Sequence, residues 1–330
     1  MPATKGIQDE KILELLKEDL SPTEICRKLK ISYGTSQKVR MERISRENGI
    51  DWKNLRKGYD KEPEEKRILH RIKAGRRIHE LEIKDGIILV GTDPHYSRID
   101  HVSVAHKAFC NVLSDLGSRV RAVVINGDVA DFGCVSRFPR GPWRNPKHPS
   151  VKDELEAVQE RLSEIEAAAS KNVPLLRTLG NHDDRLEAKL SAISEALEGL
   201  HGTRLSDHIP RWIEAERIDV NGHLEFIHNH RSGEIGRDRQ NVLSAGRSVC
   251  VGHSHQLHVW AQSWRRETCF GICAGTLADL DDEVFSYLGS RPANWQSGLA
   301  VLTWADGVLQ YPEVAAVIED RLYFRGKRYA

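Results

Sequence analysis

The tetrapeptide Gly180-Asn181-His182-Asp183 follows an apolar run, Val173-Pro174-Leu175-Leu176-Arg177-Thr178-Leu179, and so sits where a buried strand hands over to a loop. In α/β folds, ligand-binding groups collect at the carboxyl ends of such strands. Asn181 offers a neutral carbonyl oxygen to a metal ion. His182 is more useful without a metal, where it can protonate a leaving oxygen or stabilise charge on a phosphoryl group. Asp183 can hold that imidazole in its working tautomer, and Arg185 can clamp a phosphate oxygen.

The same arrangement recurs on both sides. Upstream, 87–92 is a continuous apolar run ending in Asp93-Pro94-His95, and 121–125 is another that delivers Asn126-Gly127-Asp128. Asp and His one residue apart can reach one ion if the loop curls. Asp128, after the tight turn that Gly127 allows, can share its carboxylate between two cations about 3.5–4 Å apart. Downstream, 223–228 reads as a strand ending in His228, favoured over His230 as a ligand because it stands at the strand end. A short strand at 249–252 hands over to His253-Ser254-His255, whose two imidazoles can serve two neighbouring ions. Imidazoles with carboxylates suit zinc, iron or manganese better than calcium.

Helices are expected over 103–116 and 151–170. A strand over 269–274 leads into Gly275-Thr276-Leu277, and a closing hairpin spans 299–304 and 308–311 around Asp306-Gly307. The irregular segment 132–150 carries Arg140, Trp143 and Arg144, which read equally well as phosphate and base contacts or as a plain surface loop.

Taken in order, Asp93-Pro94-His95, Gly127-Asp128, Gly180-Asn181-His182-Asp183, His228 and Gly252-His253-Ser254-His255 resemble the five motifs of the calcineurin-like metallophosphoesterases, over 86–311. The resemblance implies a four-layer α/β/β/α sandwich and two divalent metal ions, manganese first, with iron, zinc, nickel or magnesium as alternatives. Carried over position by position, one metal would take Asp93, His95, Asp128 and His255. The other would take Asp128, Asn181, His228 and His253. A water between them would attack phosphorus while His182, supported by Asp183 and Arg185, assists the leaving group. Gly275-Thr276-Leu277 resembles the Gly-Ser-Leu turn that often follows the last motif. One departure is informative. The protein Ser/Thr phosphatases have Asp-Arg-Gly after Gly-Asp, and this chain has Asp131-Phe132-Gly133. The missing arginine argues against a phosphoprotein phosphatase.

The N-terminal part is different in kind. Of the 330 residues, 1–80 carry about 20 Lys and Arg against about 14 Asp and Glu, although the whole chain is only +1. Ile12, Leu13, Leu15 and Leu16 have helical spacing over 9–18. Ser21-Pro22-Thr23-Glu24 reads as a capping box opening a second helix, with Ile25 and Leu29 inward. Ser32 can cap a third helix from Tyr33 to Arg43. The pattern resembles a helix-turn-helix of the resolvase or sigma-factor kind, whose last helix would present Tyr33, Thr35, Lys38, Arg40 and Arg43 to DNA. A small bundle that docks on protein is the other reading. One copy would bind weakly, so a dimer or a tether would raise the effective concentration. A basic helix is expected from Pro63, its apolar face including Ile78.

The expected division is therefore a small all-α helix-turn-helix domain at 1–45, a basic linker and helix at 46–85, and the catalytic domain at 86–330. Six cysteines without paired spacing fit neither a zinc ribbon nor a disulfide framework, and read as buried thiols in a reducing cell. With no signal-like segment and no apolar run of membrane-spanning length, the expectation is a cytoplasmic protein. The leading expectation is a metal-dependent phosphodiesterase or nuclease with nucleic acid as partner. A phosphomonoesterase or protein phosphatase, and a DNA-binding regulator with a non-catalytic metal domain, are the alternatives. The combination resembles phage or mobile-element proteins.

Overall fold

The computed structural model describes residues 3–18, 25, 26, 28, 29, 35–48, 78–136, 149–197, 199–229, 237–264, 267–282, 285 and 293–330. They fall into two compact units that divide between Arg76 and Arg77.

In the first unit, helices α1 (Ala3–Lys17) and α2 (Thr35–Glu47) share a small core. Ile12 and Leu16, one turn apart on α1, are buried with Ile25, Cys26 and, from α2, Met41 and Ile44. Asp9 of α1 accepts hydrogen bonds from Arg40 Nε at 2.5 Å and Arg43 Nη2 at 3.2 Å. Two of the arginines expected to face DNA are thus paired within the unit. Thr35 and Lys38 lie on α2. Tyr33, the capping residues Ser21 and Glu24, the turn at Lys30-Ile31-Ser32 and the helix expected from Pro63 lie outside the described residues.

The second unit begins with β1 (Ile78–Leu81), so Ile78 belongs to a strand and not to the expected linker helix. In chain order there follow β2 (Gly86–Gly91), α3 (Val104–Leu116), β3 (Val120–Asn126), α4 (Val151–Ala168), β4 (Leu175–Thr178), α5 (Arg185–Ile193), β5 (Ile213–Ala215), β6 (Arg217–Val220), β7 (Leu224–Ile227) and α6 (Arg237–Ala245). Then come β8 (Ser248–Val251), β9 (Leu257–Ser263), β10 (Thr268–Ala274), β11 (Gly298–Ala305), β12 (Val308–Leu309), β13 (Glu313–Ile318), β14 (Arg321–Phe324) and β15 (Lys327–Arg328). One sheet has the order β1-β6-β7-β8-β10-β9. The other runs β15-β14-β13-β11-β2-β3-β4-β5, with β12 paired to β11.

The apolar runs are continuous because the central strands are covered on both faces. Ile88 and Val90 of β2, with Ala122 and Val124 of β3, point between the sheets, against Phe226, Cys250 and Ile272. Their neighbours Ile87, Leu89, Val123 and Ile125 point the other way, into a core with Phe109 of α3 and Leu162 of α4. On the far side of the first sheet, Val249, Val251 and Cys273 pack with Ala245 of α6. These layers make a four-layer α/β/β/α sandwich. Helix α3 starts where Ser103 accepts a hydrogen bond from the backbone N–H of His106, and α4 starts with a capping box of Ser150 and Asp153.

The hairpin expected to close the chain is instead central. Strand β11 lies antiparallel between β2 and β13, and after its hairpin partner β12 come β13, β14 and β15. Cys26, Cys250, Cys269 and Cys273 are buried and outside any disulfide, but Cys110 is half-buried and Cys134 is exposed. No helix among the described residues is long and apolar enough to cross a membrane.

Candidate metal centre

Strands β2, β3 and β4 are parallel neighbours in one sheet, and β7 and β8 are parallel neighbours in the other. Their carboxyl ends therefore open at one end of the sandwich and bring five loops together. Asp93 and His95 follow β2, Asp128 follows β3, Asn181 and His182 follow β4, His228 follows β7, and His253 and His255 follow β8. His230 lies outside the described residues, as do Arg140, Trp143 and Arg144.

The backbone is strained at these loops. Asp93, His95, Asp128, His253 and His255 all have φ between 47° and 64°, a region that side-chain-bearing residues rarely occupy. Left-handed single residues turn each loop back, so that side chains from adjacent strands converge. Close approach fixes the glycines as well. A Cβ on Gly180 would overlap the backbone of Asp128, and one on Gly127 would overlap the His228 ring.

Among the described residues three groups have the spacing of metal ligands: His95 with Asp131 and His182, and the two that match the expected ligand sets, Asp93 with His95 and His255, and Asp128 with His228 and His253. Within each, the ligand atoms lie within 4.8 Å of one another. His255 Nε2 stands 3.2 Å from Asp93 Oδ1 and 3.2 Å from His95 Nε2. His228 Nε2 stands 3.2 Å from Asp128 Oδ2. The same carboxylate oxygen is 3.9 Å from His95 Nε2, which places it between the two groups. Asn181 is exposed at the rim.

These residues fit divalent cations on their own hydrogen bonding. His228 Nδ1 donates to the Asn126 carbonyl at 2.8 Å, which aims Nε2 into the site, where a cation can take the place of its proton. His228 Nε2 is buried without a hydrogen-bond partner. Burial alone would lower the His228 imidazole, but the carboxylates of Asp128 and Asp93 outweigh it and raise it to about 10. Burial also opposes ionisation of Asp128, yet His228, His182 and His95 hold it well below the usual carboxylate range. Such a site favours positive charge at its centre, and it is a plausible dinuclear metal-binding site.

His182 lies beside the two groups. Its Nδ1 is 3.1 Å from Asp131 Oδ1, and its backbone N–H donates to Asp128 Oδ1 at 2.7 Å. Arg185 donates from Nη2 to His182 Nε2 at 2.7 Å and from Nη1 to the Asp131 carbonyl at 2.8 Å. Burial would lower the His182 imidazole, but Asp128 and Asp131 together raise it.

The expected partnership of Asp183 with His182 is not what the structure shows. The Asp183 carboxylate accepts from the backbone N–H groups of Val129 at 2.8 Å, Ala130 at 3.1 Å and Gly180 at 3.0 Å. Arg177 Nη1 lies 3.5 Å away. Asp183 therefore ties the loop after β3 to the loop after β4, and Asp131 is the carboxylate that meets the imidazole.

The contacts of several supporting residues escaped the sequence reading. Arg177 is fully buried and pairs with both Asp183 and Glu214. A lone arginine inside an apolar strand was the signal, since a buried guanidinium needs carboxylates. Asn126 links the sheets, donating to the Cys250 carbonyl at 3.2 Å and accepting from Thr178 Oγ1 at 2.7 Å. Thr276 Oγ1 donates to the Asp93 carbonyl at 2.5 Å, and Leu277 N–H donates to the Thr92 carbonyl at 2.8 Å. The Gly275-Thr276-Leu277 turn thus pins the first ligand loop.

The two-sheet sandwich, the ligand-bearing turns at one end and the shared Asp128 together identify the architecture. It is the architecture that the resemblance to the calcineurin-like motifs implies. No family model matches the chain. The Gene 54 proteins of Mycobacterium phages D29 and L5 are each 25% identical to it, over 232 and 226 residues. These matches span 62% of this chain and 84% and 85% of theirs. Among solved structures, Vacuolar Protein Sorting 29 of Cryptosporidium parvum is similar, with a TM-score of 0.38, 11% identity, and coverage of 74% of this chain and 95% of that one.

Proposed function

We propose that the chain is a dinuclear phosphodiesterase or nuclease acting on nucleic acid, with manganese as the working metal. The observation that carries this reading is the position of Asp128. Its Oδ2 lies between the two ligand groups while its Oδ1 holds the backbone of His182. Metal binding and the candidate general acid are thereby coupled through one carboxylate.

Asp93, His95, Asp128 and His255 would hold one ion, and Asp128, Asn181, His228 and His253 the other. The ions would supply Lewis-acid polarisation of a phosphoryl oxygen and lower the pKa of a water. The chain's own residues do the rest. Arg185 occupies His182 Nε2 at rest and can move to a phosphate oxygen, which frees that nitrogen. Asp131 holds the Nδ1 proton, and Asp131 and Asp128 favour protonation of the ring once Arg185 has left. Protonated His182 then delivers its Nε2 proton to the leaving oxygen.

A diester substrate is preferred over a phosphoprotein because Phe132 replaces the phosphatase arginine. Phe132 is fully buried in the core beneath α3 and α4, and no cation projects from that position. Nucleic acid is preferred because of the basic N-terminal part, with residues 1–45 as its DNA-addressing module. The two curated relatives come from phages, in keeping with a phage-type origin.

The test compares bis(p-nitrophenyl) phosphate with p-nitrophenyl phosphate in added Mn²⁺, beside single- and double-stranded DNA, with Asp128→Asn as control. Diester or DNA cleavage that disappears in Asp128→Asn is expected. Monoester cleavage alone would make the chain a phosphatase. DNA binding and bound metal without turnover would make it a regulator.

A further inference from the structure

Beside the two expected ligand sets lies the third group, His95, Asp131 and His182, whose ligand atoms also lie within 4.8 Å of one another. Asp131 Oδ1 is its centre, 3.4 Å from His95 Nδ1 and 3.1 Å from His182 Nδ1. The two imidazole rings meet edge to face, with centroids 4.5 Å apart. His95 and Asp131 are buried, and His182 is half-buried. His95 Nδ1 makes no hydrogen bond, although the Asp131 carboxylate is near. Burial opposes ionisation of Asp131, yet His182 and His95 hold its carboxyl below the usual carboxylate range.

Two imidazole nitrogens and a carboxylate oxygen suit zinc. Bonds of about 2.0–2.1 Å at tetrahedral angles put neighbouring zinc ligands about 3.3–3.4 Å apart, close to the spacings around Asp131 Oδ1. The Asp131 carbonyl, 3.0 Å from His182 Nδ1, offers a further oxygen. Arg185 works against a cation here, with Nη1 3.9 Å from Asp131 Oδ1 and Nη2 donating to His182 Nε2. An ion that fills the group has to bind imidazole strongly enough to outweigh that charge. Zinc does so better than manganese or magnesium, which favour oxygen ligands. His95 adds a second restriction. Its Nε2 faces His255 at 3.2 Å while its Nδ1 faces Asp131, and a neutral imidazole has one lone pair to give. One ion at a time can use that ring.

We propose that His95, Asp131 and His182 form an inhibitory zinc site that competes with the Asp93, His95 and His255 set for the His95 ring. The ion takes His95 Nδ1, Asp131 Oδ1 and His182 Nδ1. Asp93 and His255 are then left without their third ligand. The proton on His182 moves from Nδ1 to Nε2, and the Arg185 Nη2 donor there has to turn away. With Nδ1 held by the ion, the ring cannot take the second proton that a general acid delivers. The inhibition rests on the role given to His182 in the phosphodiesterase reading, but the binding of zinc does not.

The test counts ions on the full chain by plasma mass spectrometry after equilibrium dialysis against Zn²⁺. Asp93→Asn cripples the first ligand set and leaves the proposed group whole. It is expected to keep two zinc ions per chain, one at Asp128, His228 and His253 and one at the new group. His255→Gln should behave alike, and adding Asp131→Asn to either should leave one. A single zinc in both Asp93→Asn and His255→Gln, with native circular dichroism, would overturn the proposal. So would two zinc ions that persist once Asp131→Asn is added. These counts need no turnover, so they decide the site whether or not the phosphodiesterase reading stands. In the Mn²⁺-loaded wild type, Zn²⁺ should inhibit cleavage of bis(p-nitrophenyl) phosphate, and Asp131→Asn should need at least about tenfold more zinc for the same fractional loss. Equal zinc sensitivity in the two proteins would overturn the inhibitory role.

Discussion

At the metal-binding loops, His228 keeps a buried Nε2 aimed into the site without a hydrogen-bond partner, whereas in the N-terminal unit Arg40 and Arg43 both close onto Asp9. The first region holds a polar atom on strained loops in an arrangement that a cation can satisfy. The second satisfies its charges internally. Unsatisfied buried groups lower stability, so they persist where binding needs them. Paired surface charges cost little and say little about a partner. The contrast explains why the metal centre declares its chemistry and the N-terminal unit does not.

The largest test of that contrast is Asp128→Asn. Loss of the carboxylate between the two groups should lower phosphodiester turnover by about 10³-fold or more. Metal content, measured by plasma mass spectrometry, should fall from two ions per chain. Turnover that survives with two ions bound would remove Asp128 from the shared position.

Asp183→Ala probes the support beneath the loops. It strips three backbone N–H groups of their acceptor and leaves the buried Arg177 with Glu214 alone. A loss of about 3–5 kcal/mol in urea unfolding is expected. If Asp183 served the imidazole instead, Asp183→Asn would cut turnover with stability intact.

Glu154 supplies a pH test outside the ligand set. Burial raises its carboxyl to about 7, helped by nearby Asp131. A carboxyl raised in the folded state binds its proton more tightly there than when unfolded. Stability should therefore fall as pH rises from about 4.5 to 7, and level off above that. Glu154→Gln should remove the slope and add about 2–3 kcal/mol at pH 8, read by urea unfolding at pH 5 and pH 8.

Asp131→Asn should leave both ions bound and reduce kcat by about 10–100-fold. Because Asp131 raises the His182 imidazole, its removal should also move the basic limb of the pH–rate profile to lower pH. The smallest effect is expected in the N-terminal unit. A double-mutant cycle on Asp9 and Arg40 should give about 0.5–1 kcal/mol of coupling. If this face meets DNA, Asp9→Ala should tighten binding in a gel-shift assay by freeing both arginines. Unchanged or weaker binding would break the helix-turn-helix proposal for Arg40 and Arg43.

The sequence by itself determined the sandwich's central strands and the ligand-bearing turns. Strands covered on both faces must be apolar throughout, and the histidines and aspartates that interrupt such runs stand out. Helices α3 and α4 were legible too, as the helical stretches expected over 103–116 and 151–170. Strands β13 to β15 were not, because half-exposed strands such as Glu313–Ile318 mix polar and apolar residues without a clear period. What only the tertiary structure decided is which side chains meet. Asp183 adjoins His182 in the sequence, and Asp131 stands 51 residues from it. Their roles separate because the loop after β3 folds across the loop after β4, presenting Asp131 to the imidazole and Asp183 to backbone amides. Trp295 reaches His255 across 40 residues of chain by the same means, through the pairing of Gln296 with the loop after β8. Periodicity records which face a residue turns to the core. It carries no record of which distant loop that face will touch, since that depends on strand order and on the left-handed turns at Asp93, Asp128 and His255.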